Sequence, residues 1–335
     1  MCRGRAFGGT EQAALGRFRE GICIAGRLGE DMGINEFARK VCGAVEKKLG
    51  AGHTVELREI RKNNGVLLHG MMILSKSRNV APTIYLDSFW DAYETGTSFS
   101  AVVGRLLAIY WEGTPGNSID IEFFRSYEAV KDRICYRLVG RKGNEALLEE
   151  VPHIEFLDLA ICFYYAYCGK ELGEGIILIH NSHMKMWDTS TSGLLGLAQT
   201  NTPRLFPWEC SSMEDILNEL TGREFGGEFP SAQEGMGCQI PMKVLSNTKK
   251  LHGAACILYP DVLEGIAAAE RSSLYVIPSS IHEVILLTDR GNSSPDALRN
   301  MIVEVNGTQV APEEILSDNL YYYDFNEKKV EIVTK

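Results

Sequence analysis

The stretch "PSSIHEV" gathers Ser279, Ser280, His282 and Glu283 within five positions. A hydroxyl, an imidazole and a carboxylate are the parts of a serine hydrolase, provided that they converge in space. Consecutive residues of an extended strand point to opposite faces, so His282 and Glu283 on one strand could not share a relay. The nucleophile-elbow pattern G-x-S-x-G is absent. The simpler expectation is a turn at Pro278, Ser279 and Ser280, with both hydroxyls bonding local backbone and His282 opening an inner strand. A functional His282 or Glu283 is the second reading.

"HNSHMKMWD" places His180 and His183 three positions apart, with Asp188 downstream. On a helix the two imidazoles would share a face and could hold a metal ion; on a strand they would diverge. The local sequence offers no further ligands, and exposed polar residues at a strand end are the plainer alternative. "APEEILSD" supplies Glu313, Glu314 and Asp318, a possible acid–base set. Pro312 ahead of two glutamates equally signals a helix start, with the acids facing the positive end of the dipole. Tyr321 to Tyr323 fit a hairpin strand with alternating faces. The glycine-rich "GREFGGEFP" matches neither a phosphate-binding loop nor a dinucleotide fingerprint, so no cofactor is expected.

The elements that must position these residues can be read from periodicity. In "INEFARKVCGAVEKKLG", Phe37, Val41, Val45 and Leu49 recur every four residues, with Asn35 as the expected cap and Gly50 as the stop. "HTVELREI" and "VLLHGMMIL" predict two strands joined by the turn "RKNNG". "DSFWDAYETG" and "SFSAVVGRLLAIYWEG" predict helices. Further on, strands are expected at "ICYRLVG", "FLDLAICFYYAYC" and "GEGIILIHN", then a helix at "WDTSTSGLLGLAQT". A loop-rich region follows at about 202–237, with one helix at "SMEDILNEL". The strands "IPMKVLSN" and "GAACILY" precede a helix in which Pro260 suits the first position. "LYVIP" and "HEVILLT" precede a helix capped by Ser294 with Pro295 at its start, and "NLYYYD" with "KVEIV" makes a closing hairpin. Repeated strand-strand-helix units predict an α+β fold of mixed or antiparallel sheets, with helices packed on one face. The expected division is a leader over 1–31, a domain over 32–150 and a second over 151–335.

The leader carries five arginines and no lysine, has no continuous apolar core and is not a secretory signal; Met32 is the expected translation start. The net charge of −10 and the scattered lysine pairs leave no concentrated basic surface, so no nucleic-acid partner is expected. No apolar run approaches the ~18 residues of a membrane helix. Nine cysteines without C-x-x-C spacing sit largely in apolar runs, which suits a reducing cytoplasm.

Several stretches together resemble a bacterial family of unknown function common in clostridial gut anaerobes. They are "NEFARKV", "KNNGV", "APTIYLDSFWDAYETG", "GAACILYPDVL", "YVIPSSIHEVILL" and "VAPEEILSDNLYYYD", and they span the chain from about Met32 onward. From about Pro152 the order of elements is also similar, more faintly, to that of the YtpQ-like proteins. The resemblance implies a shared fold and brings no activity or catalytic residue. The expectation is a cytoplasmic, non-enzymatic protein that binds a protein or peptide partner. A hydrolase-like or metal-dependent enzyme using His282 or the His180/His183 pair is the alternative, and a small-molecule sensor the second alternative.

Overall fold

The computed structural model describes residues 32–75, 81, 83–113, 122–169, 173–213, 242–278, 280–291 and 293–334. The expected leader, Ser279, the helix expected at "SMEDILNEL" beyond its first two residues, and residues 214–241 of the loop-rich region lie outside them. The described residues fall into two compact units. The first holds 32–60 and 68–113 with 168–169 and 173–174; the second holds 61–67, 122–167 and everything described from 175 onward. A division after residue 150 would separate two stretches of the second unit, 134–140 and 159–165, that pair over seven positions.

In the first unit, α1 (Ile34–Leu49) packs on α2 (Asp87–Glu94) and α3 (Phe99–Gly113) beside a sheet of order β1 (His53–Arg61), β2 (Leu67–Ser75), β3 (Thr83–Tyr85). The four-residue spacing of Phe37, Val41 and Val45 buries all three completely, against Met71 and Ile73 of β2 and Val102, Val103 and Leu106 of α3. Each such side chain contributes about 1.5–3 kcal/mol by leaving water. Gly50 ends α1 at φ 72°, in the region that favours glycine. The start differs from expectation. Gly33 is the cap, and Asn35 lies inside the first turn with Oδ1 3.0 Å from His69 Nε2. Asp87 holds the other side of that ring, 3.0 Å from Nδ1, and accepts the His69 amide at 2.8 Å.

The second unit contains two antiparallel sheets. One has the order β4 (Ile134–Gly140), β6 (Leu159–Gly169), β5 (His153–Phe156), with β7 (Gly173–Leu178) also on β6. The other has six strands, ordered β13 (Lys329–Ile332), β12 (Tyr321–Asp324), β10 (Leu274–Ile277), β11 (Val284–Thr288), β9 (Met242–Asn247), β8 (Trp208–Ser212). The class is therefore α+β. A single core joins Tyr136, Leu138, Ile161 and Phe163 of the first sheet to Leu245, Val276, Val284, Leu286, Tyr321 and Tyr323 of the second. α4 (Tyr127–Val130) precedes β4; α5 (Glu145–Glu150), α6 (Asn181–Trp187) and α7 (Thr191–Leu205) run between β4 and β8; α8 (Val262–Glu270) and α9 (Pro295–Thr308) follow β9 and β11. Ile302 of α9 meets Tyr275, Ile277 and Leu287, so the six-stranded sheet is covered on both faces.

Three local expectations are corrected. "GAACIL" forms a 3-10 helix, Gly253–Leu258, rather than a strand, and its residues from Gly253 to Ile257 are buried. A short apolar run buried on all sides carries no periodicity that separates the two conformations. Pro260 does not open α8; Asp261 is the cap, at φ 62°. Ser294 does cap α9, accepting the Ala297 amide, with Pro295 at the first helical position. The stretch after Pro312 is one turn rather than a helix, because its carbonyls are taken elsewhere. Asn63 donates to Glu313 O at 3.0 Å, and Asn64 donates to Pro312 O and Ile315 O at 2.8 Å each. The "KNNG" turn thus ties down "APEEI". Asn144 closes this knot by donating to Asn63 Oδ1 and Asn64 Oδ1 at 2.9 and 3.0 Å.

A second knot centres on Asp158, in the turn between β5 and β6. Its carboxylate accepts from Ser317 Oγ (2.6 Å), Asn319 Nδ2 (3.0 Å) and Tyr321 Oη (2.6 Å). Asp318 instead accepts from Asn306 Nδ2 at 2.9 Å. Tyr321 and Tyr323 face the core while Tyr322 turns to the other side and meets Tyr275, as the alternation predicts.

Candidate functional site

Three of the stretches quoted above converge in the second unit around two imidazoles, His252 and His282. The approach begins with Gly253. A side chain there would place its first carbon 2.2 Å from Ser246 Oγ and 2.4 Å from His282 O, so only glycine fits. The neighbouring His252 sits at φ 52°, an unusual backbone state for a residue with a side chain. The two rings lie 5.7 Å apart and within 9° of parallel. The His252 amide donates to His282 Nδ1 at 3.3 Å, which leaves the His282 Nε2 facing Glu314 Oε1 at 3.9 Å. Glu314 is brought there by its own backbone, whose carbonyl accepts the Ile281 amide at 2.8 Å.

The bend before β11 also holds Ser280, His282 and Glu283, three of the four candidate hydrolase residues, while Ser279 lies outside the described residues. Ser280 Oγ accepts the His282 amide at 3.0 Å, and the Ser280 amide donates to Glu283 O at 3.3 Å. His282 itself stands in this bend, two residues ahead of β11, and not on the strand where it was expected. The acid that approaches it is accordingly Glu314, while Glu283 is half-buried beside it in sequence.

Near the paired rings, close enough to act on His252, lies Arg137, in the middle of β4. It stands directly across from Cys162 of β6, so its side chain shares the sheet face of Cys135, Cys162 and Tyr164. Tyr164 in turn touches the His252 ring, centroid to centroid at 5.8 Å. On this face one apolar cluster forms around Cys135, Tyr164, Ala166 and Phe206, and another around Val139, Val151, Ala160 and Cys162. Arg137 falls between them. Its Nε is enclosed and has no hydrogen-bond partner among the described residues, although the residue as a whole keeps some exposure. His252 is 6% exposed, and neither of its ring nitrogens has a partner there. Burial, then the Arg137 charge, then His282 hold the His252 imidazole well below its usual range, so it is neutral near pH 7. Burial also lowers Arg137 and pushes the Cys162 thiol up to about 11 and the Cys135 thiol up to about 12.

The other histidine pair takes the helical alternative. His180 caps α6 and His183 lies in its first turn, where Nδ1 accepts the His180 amide at 3.0 Å. The His183 ring packs edge-on against Phe124 and near Trp187, and its burial depresses its pKa. Asp188 ends the helix at φ 50°. Among the described residues, no group of three or more His, Cys, Asp or Glu side chains could hold a metal ion.

Arg137 and His252 were not singled out from the sequence. The available signal for Arg137 was a charge inside the otherwise apolar "ICYRLVG". His252 carried none, since "KKLHG" reads as an ordinary polar turn.

Among the described residues, no helix is long and apolar enough to cross a membrane. No curated protein matches the chain. No solved structure matches it either. A model of a family of unknown function, DUF5688, matches residues 34–325, and the chain belongs to that family.

Proposed function

We propose that this protein is a non-enzymatic binder that takes an extended segment of a partner protein along the outer edge of β8. The supporting observation is the end position of β8 in the six-stranded sheet, where its outer side has no strand beside it among the described residues. A concavity of about 310 Å³ adjoins that edge, lined by Trp208, Cys210 and Ser212 of the strand and by Val262, Ile266 and Ala269 of α8. Alternate residues of one strand supply its wall, so an added strand would present every second side chain to it. Trp208 is 46% exposed, and a large aromatic at such a rim is a typical anchor for a partner. Buried thiols free of disulfides, among them Cys42, Cys135, Cys162 and Cys256, suit the cytoplasm of a bacterium as the setting.

The test is selection of peptides by the purified full chain from a random displayed library. Enriched peptides are expected to bind at least tenfold more weakly to Trp208→Ala and to Ala269→Arg, which fills the groove from an exposed helical position. Absence of enrichment, or equal binding by both variants with unchanged circular dichroism, rejects the reading.

A further inference from the structure

A second binding centre is carried by different observations. We propose that Arg137, with His252 near it, binds the oxyanion group of a small organic acid or phosphate ester.

A guanidinium stays charged in any protein setting, and an enclosed charge without a counter-ion is costly. Among the described residues, the groups that act electrostatically on Arg137 are Cys162 and Tyr164, both kept neutral by burial, and no carboxylate is among them. Glu314 faces His282. Water could satisfy the unpartnered Nε–H but would leave the charge uncompensated; an oxyanion supplies both. The planar guanidinium fork matches two oxygens of a carboxylate or phosphate. His252, nine-tenths buried with both ring nitrogens unpartnered among the described residues, lies within reach of the Arg137 charge and is neutral, so it does not compete for an anion and senses its arrival. The partial exposure of Arg137 leaves the guanidinium itself reachable. The close fit at Gly253 and the hydrogen bond from the His252 amide to His282 Nδ1 hold the imidazoles in place before any ligand arrives.

The full chain is unfolded thermally at constant ionic strength in sodium chloride, with phosphate or acetate replacing chloride in parallel series. The expected result is a saturable rise of a few degrees in one or both series. Phosphate alone points to an ester, and acetate alone to an organic acid. The imidazole NMR signals of His252 are expected to move along the same saturation curve. Arg137→Met should abolish the rise. If that variant does not fold, Arg137→Lys, which keeps the charge but loses the fork, should weaken binding at least tenfold. Identical midpoints in all three salts with His252 signals unmoved overturn the proposal. So does a rise that survives Arg137→Met, or undiminished affinity in Arg137→Lys.

Discussion

His252 combines a left-handed backbone, near-complete burial and the nearby charge of Arg137, three conditions that each disfavour its protonated form or its conformation. The sign of the consequence is fixed. The imidazole of an unfolded chain titrates near 6.5, and in the folded protein it titrates well below that value. Between the two the unfolded chain binds more protons, so stability is lost as pH falls below about 6.5 and is fully present above it. Urea unfolding from pH 8 to pH 5 is expected to show this decline. His252→Gln should flatten it, leaving the part contributed by His183, whose pKa is also depressed.

At the scale of elements, the two asparagines of the "KNNG" turn do the work that a helix would otherwise do for the 312–315 segment. Asn64 sits at φ 58°, which asparagine tolerates better than most residues, and its amide donates to Asn144 Oδ1 at 3.0 Å. Asn64→Ala and Asn144→Ala share these bonds and should not add. A double-mutant cycle in urea is expected to return a coupling of about 1 kcal/mol, with each single change costing about 1–3 kcal/mol. The elements themselves were largely legible: the four-residue spacing in α1, the Ser294–Pro295 start of α9 and the alternating tyrosines of β12 each rest on local geometry that the sequence carries directly. What was illegible depended on partners distant in the chain. Pro312 and two glutamates spell a helix start, and nothing within that stretch announces that Asn63 and Asn64, some 250 residues earlier in sequence, will take its carbonyls. The pairing of His282 with Glu314 and His252 was hidden for the same reason, since the expectation compared it only with its chain neighbour Glu283.

Across the whole molecule, the thiols report how the interior is closed. Burial raises Cys42 and Cys162 to about 11, and Cys135 and Cys256 to about 12, whereas Cys168 is exposed. The thiolate is the reactive form, so a brief treatment of the native protein with an aromatic disulfide should label Cys168 and spare those four. Peptide mapping by mass spectrometry reads the outcome, and labelling of Cys135 or Cys256 ahead of Cys168 would contradict the fold.

The carboxylate of Asp158 takes its three side-chain donors from residues 317, 319 and 321. During synthesis the turn that bears this acid leaves the ribosome about 160 residues before those donors exist. β12, which lies between β10 and β13, is equally late. The second unit must therefore wait, with an acid unquenched and a sheet unfinished, until almost the last matched residue has emerged, and a nascent chain stalled short of Tyr321 is the form that chaperones would meet.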